Sequence, residues 1–150
     1  MTLRRTGDMK LMDSILGALL LFAAAVTALY WWSYYTGGDV RVVDARWYTA
    51  FESSFPVADG WMASCAALAG IGLMFGRAFG PRFGLMAGAA ILYLAAMDIT
   101  FDVENGMYAL AAASGAMKFE IFVNATCLIL GVWTLIASWR RLDAHSRLPD

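Results

Sequence analysis

Apolar residues gather in four long runs, at approximately residues 14–35, 55–75, 83–101 and 117–139. Each is close to the roughly 20 residues that an α-helix needs to cross the hydrocarbon of a bilayer. The pattern predicts an all-α fold, an integral membrane four-helix bundle built as one domain from the whole chain. Asp13 and Ser14 are natural N-cap residues and place the start of the first helix. Pro56 is tolerated in a first helical turn, which starts the second span at Ser54 or Phe55.

The stretch between the first two runs is long for a connection in a small bundle. Thr36-Gly37-Gly38-Asp39 breaks the first helix, and Val40-Arg41-Val42-Val43 suits a short extended piece. Trp47, Tyr48, Phe51 and Phe55 then recur at near-helical spacing, as in an amphipathic turn lying in the interface plane. This segment reads as a lid loop over one end of the bundle; a plain aromatic anchor at the headgroups is an equal alternative. The first run ends in Tyr30-Trp31-Trp32-Ser33-Tyr34-Tyr35, an expected interfacial belt. Its body, Leu16 to Leu29, has no ionisable group and is expected to be structural.

Composition agrees with a membrane protein. The chain is 61% hydrophobic and only 15% charged, more apolar than an ordinary soluble domain. Its net charge of -1 gives no reason to expect nucleic acid as a partner. The distribution of charge is informative. Arg4, Arg5, Lys10, Arg77, Arg82, Arg140, Arg141 and Arg147 fall on one side, 8 of the 11 basic residues. The other side has Arg41, Arg46 and Lys118 against Asp39, Asp44, Glu52, Asp59, Asp98, Asp102, Glu104 and Glu120. By the positive-inside rule both termini are cytoplasmic and the acidic face is exoplasmic, as in a multi-pass protein of a bacterial-type inner (plasma) membrane. The first run is longer than a signal h-region and lacks a small-residue cleavage site, so it is expected to stay uncleaved.

Small residues set an expectation for packing. Gly72-x-x-x-Gly76 and Gly84-x-x-x-Gly88 flank one tight loop and predict a close hairpin of the second and third helices. Trp61, Met62, Tyr93 and Met97 lie toward the other end of that hairpin. The bundle should therefore be shut at the basic end and splay at the acidic end, leaving a pocket near Asp98.

Seven residues are the candidate ligand-binding groups: Glu52, Asp59, Asp98, Asp102, Asn105, Glu120 and Asn124. A polar cluster in an apolar span is a functional-site hypothesis by default. Asp98, Asp102 and Asn105 share a helical face, and acids there oppose the negative end of the helix dipole, so capping does not explain them. Asn105-Gly106 also fits a plain C-cap, and Asp102 and Glu104 fit a solvated helix end. Glu52 and Asp59 share a face if the lid helix runs on into the second span. Asp59 also suits the positive end of its helix, as does Glu120, and Asn124 suits an interhelical hydrogen bond. Arg46 and Lys118 are the cations best placed to offset these acids. If the acids converge, their repulsion and desolvation call for compensation.

Several chemistries are excluded. The only histidine is His145, in the tail, which argues against histidine-ligated haem and against a histidine zinc site in the bundle. No lysine lies mid-helix for retinal, and no Walker-type loop suits a nucleotide. Cys65 and Cys127 lie at matched depth, where a disulfide is conceivable, but small packing residues are the better reading. Asn124-Ala125-Thr126 fits the glycosylation pattern but falls inside a span. Three readings remain. The carboxylates bind a cation, for which hard oxygen ligands suit a divalent ion, or a cationic or amphiphilic small molecule. Alternatively the chain is an accessory subunit of a larger homo- or hetero-oligomeric membrane complex. In the third reading it is an enzyme, with Asp98 and Glu120 as catalytic acid and base in isomerisation or cyclisation of a lipid-soluble substrate and Asn124 orienting it.

Overall fold

The computed structural model describes residues 2–38 and 41–146, with side chains described for 9–38 and 41–144. Asp39, Val40 and Arg147 lie outside the described residues, and Arg4, Arg5 and His145 outside the described side chains. The order is α1 Thr2–Tyr35, α2 Arg46–Glu52, α3 Pro56–Met74, α4 Phe79–Glu104, a 3-10 helix Met107–Ala112, and α5 Gly115–Ser146. Four segments are long and apolar enough to cross a membrane: Met9–Tyr35, Arg46–Met74, Phe79–Glu104 and Gly115–Ala144. The chain is an all-helical, multi-pass bundle.

The helices outrun the apolar runs, because hydropathy marks only the hydrocarbon crossing and the ladder of backbone hydrogen bonds continues beyond it. α1 passes unbroken through Asp13 and Ser14, so neither is its N-cap. Asp13 instead accepts a charged hydrogen bond from Arg141 on α5. Pro56 does open α3, with Phe55 before it.

The long helices pack in the order α1 on α3, α3 on α4 and α4 on α5, and the outer pair α1 and α5 has no comparable contact. Lipid is as apolar as leucine, so helices associate here by close packing at small residues. A Cβ on Gly17 would come within 2.8 Å of the Gly70 carbonyl, one on Gly72 within 2.4 Å of the Gly80 backbone, and one on Gly88 within 3.0 Å of the Gly131 carbonyl. The expected close hairpin of the second and third spans forms, but through a different pair of glycines. Gly72 meets Gly80, whereas Gly84 and Gly88 face Ser138 and Gly131 of α5. Gly76 makes no interface; at φ 61 it takes the left-handed conformation of the α3–α4 turn. Leu16, Leu20, Cys65, Ala66, Ala69, Ala87 and Ile91 form the buried core between these contacts. Both cysteines are free.

α2 and the residues before it pack on the far ends of α4 and α5. Tyr48 is buried with Met107 and Met117, bordered by Val42, Val43 and Phe101. Phe51 stacks face to face on Phe101 with ring centroids 3.6 Å apart. Glu52 and Asp59 are nearly in helical register, since α2 and α3 are separated only by the turn at 53–55.

Candidate functional site: an acid-lined cavity

A cavity of about 600 Å³ lies where α1 and α4 end and α3 and α5 begin. Its walls are apolar, with Val26, Met62, Ile91, Leu94 and Val123 among them, and Glu52, Asp59, Asp98, Glu120 and Asn124 enter it. The pocket expected near Asp98 is present. Trp61 and Tyr93 do not prop it open, because both point outward and are well exposed. The opposite end is not shut: Leu16, Leu73, Arg77, Arg82, Trp133 and Arg140 are among the residues lining a second groove of about 680 Å³.

The acids fall into two groups. Glu52 Oε2 accepts a hydrogen bond of 2.6 Å from the Tyr30 hydroxyl, and Asp59 Oδ2 one of 2.8 Å from the Trp31 indole N–H. Tyr30 and Trp31 of the expected interfacial belt therefore also serve as donors to two acids, and Thr27, in the α1 body expected to be structural, faces the cavity. Thr27, Tyr30 and Trp31 all line the cavity. Spacing holds the missed signal: Thr27, Tyr30, Trp31 and Tyr34 occupy one face of α1, and the polar tip of a buried aromatic usually finds a partner.

The second group is short of donors. Carboxylate oxygens of Asp98, Asp102 and Glu120 lie within 4.8 Å of one another. Asp102 is not at a solvated helix end; it is 0% exposed, and neither of its oxygens has a hydrogen-bond partner. Glu120 receives only a long contact of 3.4 Å from the Tyr48 hydroxyl. Asn124 is buried with its side-chain N–H₂ unpartnered. Burial, and then the negative charge of Asp102, push the Tyr108 phenol of the 3-10 helix above its ordinary value.

Asn105 does not join either group. Exposed at the end of α4, it donates back to the Phe101 carbonyl at 2.8 Å, as a helix-terminal residue does. Arg46 and Lys118 are exposed rather than turned to the acids. Ion pairs join Arg41 to Asp44 and Arg141 to Asp13, neither of them in the cavity. No protein-family model, curated protein or solved structure matches this chain.

Proposed function

We propose that the protein binds a cationic amphiphilic small molecule in the acid-lined cavity, from the exoplasmic side of a bacterial-type inner membrane. The single observation that supports this most is the combination of apolar walls with four carboxylates in one cavity of about 600 Å³. That volume is in the range of small-molecule pockets, roughly 300–1,000 Å³. The apolar walls suit a hydrocarbon or aromatic body, and Glu52 and Asp59 suit its cationic group. The orientation rests on Lys10, Arg77, Arg82, Arg140 and Arg141, which are at the other end of the helices, so both termini are cytoplasmic. The segment 41–55 serves as the lid, with Val42, Tyr48, Glu52 and Phe55 lining the cavity. Entry from the bilayer is open to such a ligand between α1 and α5, the two outer helices that do not pack along their length.

The test is native mass spectrometry of the purified chain with a hydrophobic quaternary ammonium compound and its uncharged carbon isostere, in chelator. One molecule of the cation per chain is expected. Glu52→Gln and Asp59→Asn together should weaken binding at least about tenfold, through the loss of both charges that face the cation. Equal binding of the isostere would refute the reading.

A second reading has one specific observation in its favour. Asp98 and Glu120 line the same cavity with oxygens within 4.8 Å, and Asn124 lies beside them. That is the arrangement an acid–base isomerase of a lipid-soluble substrate needs.

A further inference from the structure

We propose that Asp98, Asp102 and Glu120 form a divalent-cation site at the edge of the cavity, distinct from the Glu52 and Asp59 pair assigned to the organic cation. The inference starts from the unequal supply of donors. Glu52 and Asp59 each have a hydrogen-bond donor from α1. Asp102 has none at hydrogen-bond distance, although it is wholly buried; the Tyr108 phenol lies near it, and the other two carboxylates are its immediate neighbours. A buried carboxylate without a donor is costly, and a second and third beside it raise the cost. One divalent ion removes both costs at once.

The geometry fits a hard cation. Oxygens that share an ion at 2.3–2.6 Å lie at most about 5 Å apart, and the three carboxylates here are within 4.8 Å. The ligands come from two helices, Asp98 and Asp102 one turn apart on α4 and Glu120 near the start of α5. An ion would therefore fasten α4 to α5 beyond their last glycine contact at Gly88 and Gly131. Asp98 and Glu120 line the cavity whereas Asp102 lies behind them. Such an ion keeps an open coordination position toward the cavity, for water or a ligand oxygen. Oxygen-only ligation selects calcium, manganese or magnesium over zinc or copper.

The experiment uses the full chain in detergent, stripped with chelator and titrated with Mn²⁺ alone, read by electron paramagnetic resonance and by thermal unfolding. One Mn²⁺ per chain is expected, displaced by Ca²⁺ and not by Na⁺. At a hundredfold excess over Kd the unfolding temperature should rise by about 5–10 °C. Asp102→Asn should weaken Mn²⁺ binding at least tenfold, and Asp98→Asn is the second variant if that one does not fold. Glu104→Gln, at an exposed carboxylate at the end of the same helix, should leave Mn²⁺ binding intact. Absence of Mn²⁺ binding by the wild-type chain, or binding indifferent to both Asp102→Asn and Asp98→Asn, would overturn the proposal. Binding of the ammonium compound is measured in chelator, so loss of one reading does not decide the other.

Discussion

Each end of the bundle buries an aspartate, and the two have opposite surroundings. Asp13, with a side chain 15% exposed, is paired through Oδ2 with Arg141, leaving Oδ1 without a partner, and joins α1 to α5, which have no extensive contact of their own. Asp102, fully buried, has no donor and sits among further carboxylates. At the basic end a charge is buried because it completes the structure. At the acidic end the burial gains the fold nothing, and a local arrangement that costs stability is the sign of a group retained for another purpose.

The largest expected effect is at the paired aspartate. Arg141→Ala leaves Asp13 largely buried with its partner gone and should lower stability by about 3 kcal/mol, measured by thermal unfolding in detergent. Arg140→Ala, on the exposed neighbour, is the control. Equal losses would mean that the pair is not what joins α1 to α5, and the comparison would lose its first half.

Next in size is the packing of the basic end. Gly72→Ala puts a methyl group 2.4 Å from the Gly80 backbone and should cost about 2 kcal/mol, as overpacking does. Gly60→Ala has nothing within 4 Å and lies inside α3, so it should stabilise by up to about 1 kcal/mol through helix propensity alone. If both substitutions behave alike, close helix approach does not govern the α3–α4 interface.

The decisive contrast is between the two aspartates themselves. In chelator, Asp102→Asn removes one of three mutually repelling carboxylates and should raise stability by about 1–2 kcal/mol. Asp13→Asn should lower it, because the amide cannot replace the charge opposite Arg141. With saturating Mn²⁺ the order of wild type and Asp102→Asn should reverse. A fall for both variants in chelator would show that Asp102 has a structural partner after all.

The four crossings and the cluster of acids were legible in the sequence because hydropathy and charge are local properties. Spacing put Asp98 and Asp102 on one face of α4, but their meeting with Glu120 of α5 depends on how the two helices pack and is visible only in the structure. What the sequence withheld were partners. A stripe of glycines announces a close contact without saying with which helix, and Gly84 and Gly88, beside the loop to α3, face α5 instead. Asp13 resembled a cap because its salt-bridge partner lies 128 residues away. Tyr30 and Trp31 are equally at home in a headgroup belt, and only the antiparallel docking of α1 on α3 turns their polar tips toward Glu52 and Asp59.

That docking leads to the smallest expected effect. Tyr30→Phe removes the hydroxyl that donates to Glu52 and should lower stability by about 1 kcal/mol. Tyr35→Phe, on an exposed ring of the same helix end, should change nothing measurable. The informative reading is the ammonium titration. In the wild type the cation competes with the Tyr30 hydroxyl for the Glu52 carboxylate, whereas in Tyr30→Phe that carboxylate has lost its donor. Affinity for the cation should therefore hold or rise while stability falls, a divergence that general damage to the fold does not produce. If affinity and stability fall together, the hydroxyl is part of the ligand's own contact surface. Glu52 would then belong with the paired Asp13 as a structural carboxylate, leaving Asp59 as the cation's partner among the acids that α1 supplies with donors.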